Sequence, residues 1–196
     1  AALEAGAQIL IAQGIEAGGH VRGDTSLFGL LPEISALSPV PVVASGGITT
    51  GKGLVAALAL GAQGVSCGTL FLATEESNAH DFHKEKIIRA TAADTRLCYD
   101  FHRNWPVKAA VRVLKNIITE NPYHDYKHFP DRAIGEQDGA PIYPFSTDSP
   151  LRNATGDLAS MALYAGQGCG SVKQIKPAAV VIKDLMTQAN RYLDRV

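Results

Sequence analysis

The sequence predicts an α/β fold made of parallel βαβ units, as in a (β/α) barrel. Short apolar runs alternate with segments of helical spacing over the first 75 residues, and glycine-rich loops follow the apolar runs. Strands that alternate with helices in this way are parallel and joined by right-handed crossovers. Because three strands cannot close a barrel, we expect only the C-terminal strands and helices of a (β/α)8 barrel in this chain.

Local signals define the elements of this first part. Three apolar runs predict buried strands, at residues 8–12, 40–44 and 64–67. Residues 26–37 carry apolar side chains at helical spacing. Thr50 can cap a second helix that covers residues 54–60 and ends at Gly61.

The second part of the chain is expected to be helical and rich in loops. Helices are predicted over residues 70–76, 78–91, 107–119, 158–165 and 177–193. Residues 121–150 hold five of the ten prolines and several aromatic residues, which is typical of an irregular rim or lid. We therefore divide the chain into residues 1–100, the C-terminal part of the barrel, and residues 101–196, a helical and loop-rich cap and C-terminal region.

Composition and charge argue against several classes of protein. The net charge of −1, without basic runs, gives no support for binding to nucleic acid or to an anionic membrane. Cys67, Cys98 and Cys169 are odd in number and form no CxxC pair, which favours a reducing, cytoplasmic compartment over disulfides or structural zinc. The apolar runs are too short to span a bilayer. The chain opens without Met in mid-element, so we expect a longer protein.

The loop after the first strand holds the most informative candidate residues. Gly18 and Gly19 allow the backbone to approach a ligand closely, and His20 can move protons near neutral pH. Loops of this kind build the active sites of (β/α) barrels. The structural alternative is a tight βα turn followed by a packed or exposed histidine.

Small residues also follow the next two strands. Ser45, Gly46 and Gly47 come after the second strand, and Gly68 and Thr69 come after the third. Glycine loops at helix starts present free backbone N–H groups, and in barrels the loops after the last two strands are the usual phosphate site. We therefore expect a phosphorylated cofactor beside His20, the alternative being that these glycines only make tight turns.

Three motifs follow one another along the chain: AQGIEAGGH at residues 12–20, VVASGGI at 42–48, and GAQGV with GTLFLATEES between residues 61 and 77. In sequence, order and spacing they resemble the nitronate monooxygenase family, formerly called 2-nitropropane dioxygenase. The resemblance implies an FMN-binding (β/α)8 TIM-type barrel with a helical cap. It also implies FMN-dependent oxidation of alkyl nitronates or nitroalkanes by O2, giving a carbonyl compound and nitrite.

The same resemblance assigns roles to individual residues. The implied FMN contacts are Gln13, Gly18, Gly19, Ser45, Gly46, Gly47, Gly68 and Thr69. His20 would lie on the substrate side, near the reactive N5 edge of the flavin, as a general base or as an imidazolium that stabilises nitronate oxygens. No metal ligand is implied, and a homodimer is compatible with the pattern.

Two other functions remain open. The Glu-Ala-Gly-Gly-His motif also occurs in FMN-dependent enoyl-acyl-carrier-protein reductases, which use a reduced nicotinamide as hydride donor. The run FLATEE at residues 71–76 favours the monooxygenase. A non-catalytic phosphate-binding module is the third alternative, and the presence of His20 disfavours it.

Further candidates are interpreted structurally. His80 and His83, three residues apart, are expected on a solvated polar helix face rather than at a metal. His124 and His128 lie in the proline-rich loop and are not expected to bind metal. Cys67 is interpreted as a small buried residue rather than a nucleophile.

Three residues near the expected site have alternative roles. Arg103 and Trp105 are expected to cap and pack a helix, with a place near the substrate entrance as the alternative. Lys52 follows the second glycine loop and either approaches the phosphate or is solvated.

Overall fold

The computed structural model describes residues 1–105, 109–121 and 131–194. The strands are β1 (Leu10–Gln13), β2 (Gly19–His20), β3 (Val42–Ser45), β4 (Gly64–Ser66), β5 (Thr95–Cys98), β6 (Val111–Leu114), β7 (Gly135–Gln137), β8 (Ala140–Ile142) and β9 (Thr155–Gly156). The α-helices are α1 (Leu27–Leu37), α2 (Gly51–Ala59), α3 (Gly68–Leu72), α4 (Asp81–Arg89) and α5 (Ala178–Leu193). Within these ranges no helix is long and apolar enough to cross a bilayer.

The strands β1, β3 and β4 form a parallel sheet, as the sequence predicts. Strand β3 lies in the middle, and Ser45 at its end is in register with Gln13 of β1 and Ser66 of β4. Helices α1 and α2 pack on one face of the sheet, where Leu31 and Ala57 belong to the same buried core as the strand residues. Because the three strands end side by side, the three loops that follow them begin next to each other.

Helix α2 begins at the predicted cap Thr50, and α1 begins after Ser26, the first residue of the predicted helical segment. The side chains of Ser26 and Thr50 accept hydrogen bonds from Gly29 N and Gly53 N, which satisfies backbone donors of the first turn. Gly61 follows α2 with a φ of 99°, a left-handed conformation that glycine adopts without strain. The predicted boundaries of both helices are therefore confirmed to within a few residues.

The last helix returns to the parallel sheet and packs on α2. A Cβ atom at Gly51 would lie 2.4 Å from Ala189 N, so the two helices touch through their backbones. Gly51 N also donates to Gln188 Oε1 at 3.2 Å. Helix α5 thus supports the first turn of α2. The domain boundary at residue 100 stays a prediction.

A second sheet, antiparallel and in the order β2-β6-β5, replaces the helix predicted over residues 107–119. All four residues of Val111–Leu114 are buried. Val111 and Val113 pack in a core with Phe101 and Phe145. Buried Arg112 is satisfied because it donates to backbone and hydroxyl oxygens on neighbouring segments. The predicted helix is wrong because β pairing overrides the helical spacing of the apolar residues; residues 106–108 lie outside the described ranges.

Two more expectations for the second part are wrong. Only Leu158–Ser160 of the helix predicted over 158–165 is helical, as a single 3₁₀ turn, and Leu163 O beyond it accepts from Leu114 N at 2.8 Å. Strands β7 and β8 form a hairpin inside the stretch expected to be irregular. Its turn residues Asp138 and Gly139 have φ values of 54° and 77°, typical of a type I′ turn. Residues 122–130 of that stretch lie outside the described part of the chain.

Candidate functional site

A cavity of about 250 Å³ opens where the loops after β1, β3 and β4 meet. Its lining includes all eight residues predicted to contact the cofactor: Gln13, Gly18, Gly19, Ser45, Gly46, Gly47, Gly68 and Thr69. Parallel strands in register bring these residues together, since their loops leave the same edge of the sheet. The cavity lies where ligands bind in sheets of this type.

The loop between β1 and β2 is fixed by two charged side chains. Both carboxylate oxygens of Glu16 accept from Leu27 N, the first residue of α1, at 3.0 and 3.1 Å. A carboxylate at a helix N-terminus is stabilised by the unsatisfied N–H groups there. Arg112 of β6 donates to Ile15 O through Nη2 at 2.9 Å. The loop therefore has a defined shape on the side that meets the cavity.

The loop after β3 exposes backbone donors toward the cavity. Gly46 and Gly47 have φ values of 115° and 68°, so a side chain at either position would strain the backbone. A Cβ atom at Gly46 would also lie 3.2 Å from Ala17 N, because this loop packs on the one after β1. Among the described residues, the N–H groups of Gly46 and Gly47 have no acceptor. Adjacent free N–H groups suit a phosphate.

A fourth wall comes from residues 166–168, which are not among the predicted site residues. Three hydrogen bonds tie it to the loops: Gly166 N to Thr69 Oγ1 at 2.9 Å, Gln167 N to Glu16 O at 3.0 Å, and Thr49 Oγ1 to Gly168 O at 2.9 Å. Each loop of the parallel sheet is thus bonded to the same short segment. The glycine spacing of Gly166 and Gly168 is the one signal in the sequence that could have identified this wall.

Close backbone contacts explain the glycines on both sides of this wall. A Cβ atom at Gly18 would lie 2.5 Å from Gly166 N, and one at Gly168 would lie 2.5 Å from Gly47 O. Both contacts are with backbone atoms, which cannot rotate away as a side chain can. Glycine is required here for close approach within the protein, in addition to any approach to a ligand.

His20 lies at one end of the cavity without lining it. Gly19 directly before it does line the cavity, and Gln13 Nε2 donates to His20 O at 3.0 Å, which ties β2 to the end of β1. The Nε2 atom of His20 is buried and has no hydrogen-bond partner in the described part of the protein. Since leaving a buried polar atom unsatisfied costs about 1–3 kcal/mol, this nitrogen indicates a place for a ligand.

Two aromatic rings flank the imidazole of His20. The ring of Trp105 stacks on it with centroids 4.5 Å apart and planes at 30°, and the ring centroid of Tyr164 lies 6.3 Å away. Tyr164 also lines the cavity. Its hydroxyl donates to Thr147 O at 2.7 Å, and burial raises the pKa of the Tyr164 phenol, which therefore stays neutral. Trp105 thus contacts the candidate base directly.

The family model for nitronate monooxygenase matches residues 1–188 of the chain. The chain belongs to the nitronate monooxygenase family. The nitronate monooxygenase of Pseudomonas aeruginosa is 34% identical over 197 residues, which cover 94% of this chain and 52% of that protein. The chain spans about half the length of the curated relatives it matches.

Two solved structures are similar to the whole described fold of this nitronate monooxygenase family member. FabK from Thermotoga maritima aligns with a TM-score of 0.77 at 31% identity, over 98% of this chain and 58% of that one. A nitroalkane oxidase from Streptomyces ansochromogenes aligns with a TM-score of 0.74 at 34% identity, over 98% and 55%. The predicted α/β class is confirmed, and the three parallel strands described here are part of a barrel.

The interpretation of His83 as solvated is wrong for this member of the nitronate monooxygenase family. Its ring is fully buried, with Nε2 3.0 Å from Tyr164 O and Nδ1 3.3 Å from Ser149 Oγ. His80, in contrast, caps α4 by accepting from Phe82 N. The described residues contain no cluster of three potential metal ligands, and His124 and His128 lie outside them. His83 therefore acts as a packed link between α4 and the backbone beside the cavity.

We expect the protein to lose stability below pH 6.5 because of His83. Burial lowers the pKa of His83 from 6.5 to about 4, so the unfolded chain takes up a proton first as the pH falls. The decrease in the free energy of unfolding begins near pH 6.5 and reaches about 3 kcal/mol by pH 4. Urea unfolding at pH 7 and pH 4.5 measures it. His83→Gln should reduce the change in the free energy of unfolding between these two pH values, and His80→Gln should not. Equal changes in the wild type and both variants would contradict the assignment to His83.

The remaining candidates near the cavity have structural contacts. Cys67 is half-buried in the cavity lining and not fully buried as predicted; burial raises the pKa of its thiol, which keeps it protonated and poorly nucleophilic. The Nζ atom of Lys52 lies 5.2 Å over the ring of Tyr192, so this lysine turns toward α5. Arg103 stacks over the Tyr143 ring at 4.3 Å and pairs with Asp131.

Proposed function

We propose that the cavity holds FMN and that the chain serves the FMN-dependent oxidation of alkyl nitronates, or nitroalkanes, by O2 to a carbonyl compound and nitrite. The observation that carries this proposal is the meeting of eight predicted cofactor contacts in one cavity with His20 at its end. Membership of the nitronate monooxygenase family and similarity to a nitroalkane oxidase support the reaction class.

The residues of the cavity fit a phosphorylated planar cofactor. Gly46 and Gly47 offer two adjacent backbone donors, and the hydroxyl of Thr69 accepts from Gly166 N, which leaves its proton available for a phosphate oxygen. At Gly68 a Cβ atom would meet nothing within 4 Å, so the absence of a side chain leaves open space there. In this proposal Ser45, Gly46, Gly47, Gly68 and Thr69 would hold the phosphate, and the loop after β1 would contact the ring system.

When bound, FMN supplies electron transfer and the reaction with oxygen. The chain's own part is to position the substrate and to handle a proton at His20 Nε2. As a neutral base this nitrogen takes the proton beside the nitro group of a nitroalkane, and as an N–H donor it holds a nitronate oxygen. Trp105 and Tyr164 flank the imidazole and exclude water from it.

The decisive test is an anaerobic titration of the FMN-loaded protein followed by flavin absorbance. We expect propyl nitronate to bleach the flavin and reduced nicotinamide to leave it oxidised, because the proposed electron donor is the nitronate. A control without protein excludes direct reduction of free FMN. Bleaching by the nicotinamide alone would overturn the proposal.

Enoyl reduction with a reduced nicotinamide is the second candidate. Similarity to FabK supports this candidate, but the TM-scores for FabK and for the nitroalkane oxidase are nearly equal, so the fold does not separate the two reactions. The same titration distinguishes them, since only this candidate requires hydride transfer from a nicotinamide. A homodimer and a cytoplasmic location stay predictions.

A further inference from the structure

A series of contacts links the two rings that flank His20. Trp105 stacks on the imidazole, and its neighbour Asn104 accepts two hydrogen bonds at Oδ1, from Thr147 N at 2.6 Å and from Thr147 Oγ1 at 2.7 Å. Thr147 O in turn accepts from the hydroxyl of Tyr164 at 2.7 Å. The series therefore begins and ends at rings beside the same histidine. We call Asn104, Thr147 and the Tyr164 hydroxyl the latch.

The latch is one of several contacts that hold the segment carrying Trp105, since Arg103 N also donates to Phe145 O at 2.9 Å and Phe101 packs in the core of the antiparallel sheet. Asn104 also donates from Nδ2 to Asp148 Oδ2 at 3.0 Å, so both the nitrogen and the oxygen of its side-chain amide are hydrogen-bonded. Trp105 is 46% exposed, whereas Nε2 of His20 is buried. The indole thus stands between the imidazole and solvent, and it is kept there by hydrogen bonds to its neighbour and by the ring stack.

We infer that Trp105 is the residue that limits substrate size beside His20, and that the latch keeps it in place. The inference rests on the proposed function, since it takes alkyl nitronates as substrates. In this inference the indole stacked on the imidazole restricts the space beside His20 to a small planar anion with a short alkyl group. A longer chain must displace the indole from its stack, and this costs binding.

The first test compares ethyl nitronate with hexyl nitronate in the FMN-loaded protein. The ratio of kcat/KM for hexyl over ethyl nitronate should rise at least tenfold in Trp105→Ala, because each methylene that becomes accommodated in apolar surroundings is worth about fourfold in binding. Trp105→Phe keeps a planar wall and should stay within threefold of the wild-type ratio. An unchanged ratio in Trp105→Ala overturns the inference.

A matched set of variants tests the latch. Asn104→Ala removes the acceptor for Thr147 and should shift the substrate ratio in the same direction as Trp105→Ala, by about threefold. Thr147→Ser keeps the hydroxyl and the carbonyl of residue 147 and should therefore keep the wild-type ratio of kcat/KM values. Asn153→Ala serves as a control, because this exposed asparagine is bonded to Asp138 in the β7–β8 turn. If the ratio of kcat/KM values shifts as much in Asn153→Ala as in Asn104→Ala, the positioning role of the latch is overturned.

The second readout does not depend on turnover. Trp105 is the single tryptophan of the chain, so its fluorescence reports on the stack alone. Asn104→Ala should raise the acrylamide quenching constant about twofold, and Thr147→Ser and Asn153→Ala should leave it unchanged. Equal quenching in Asn104→Ala and wild type overturns the latch.

The two readouts separate the two hypotheses. A wild-type protein that turns over no nitronate refutes the proposed function, and with it the assignment of Trp105 to nitronate size. The quenching constants still decide in that case whether the latch positions Trp105. A protein that oxidises both nitronates but shows the same ratio in Trp105→Ala supports the proposed function and overturns the role of Trp105.

Discussion

His20→Ala should lower kcat/KM for alkyl nitroalkanes by about a hundredfold to ten-thousandfold while FMN stays bound, the range typical of a lost general base. The buried Nε2 of His20 has no hydrogen-bond partner within the described residues, so its hydrogen-bonding capacity is unused there, as the proposed role in proton transfer requires. Gln13 bonds to the backbone oxygen of residue 20, which alanine retains, so the end of β1 should keep its position. Steady-state kinetics and the flavin-to-protein absorbance ratio, measured on the same preparation, check both parts.

Two further variants make this result specific. His80→Asn changes another histidine at a position where asparagine can also cap a helix, so we expect wild-type kinetics. His20→Asn keeps a polar side chain without the ability to exchange a proton and should be as slow as His20→Ala. Turnover of His20→Ala within threefold of wild type would exclude His20 from proton transfer, and loss of flavin would assign it to cofactor binding instead.

Gly18→Ala should weaken FMN binding at least tenfold and lower the free energy of unfolding by about 1–3 kcal/mol, the usual cost of overpacking. The added Cβ would lie 2.5 Å from Gly166 N and 2.7 Å from Ala165 C, so two walls of the cavity must move apart. Gly166 N also bonds to Thr69, which carries the displacement to the loop after β4. Titration of the FMN-free protein with FMN and urea unfolding measure the two effects.

Gly23→Ala is the matched control for this substitution. A Cβ atom at Gly23 would meet nothing within 4 Å and the residue has no positive φ, so both FMN affinity and stability should match the wild type. An intact FMN affinity in Gly18→Ala would show that the contact between the loop after β1 and residues 166–168 does not shape the binding site.

The parallel sheet and the glycine loops could be predicted because their signals are local. Apolar runs of strand length, the cap Thr50 and the terminating Gly61 each act within a few residues of the chain. Register then follows from parallel pairing, so the ends of β1, β3 and β4 had to lie together. The cavity at those ends follows from the same geometry.

The antiparallel sheet could not be predicted because its stability comes from distant partners. Val111 pairs with His20 on one side and with Cys98 on the other, and no local pattern encodes these pairings. The burial of His83 depends likewise on Ser149 and Tyr164, which are far away in sequence. From the sequence alone, a polar residue such as His83 is therefore predicted to be exposed, because the distant segments that cover it are not known.

The candidate site draws its residues from two different sheets. The loops that line the cavity leave a parallel sheet with its own core around Leu31, whereas His20 belongs to an antiparallel sheet packed around Phe101 and Phe145. Substitutions around the second core would act first on His20, and they would reach the loop after β1 through Arg112, which donates to Ile15 O. Under the proposed function, a library of variants in the antiparallel sheet that keeps Arg112 should therefore alter substrate preference before it alters FMN affinity.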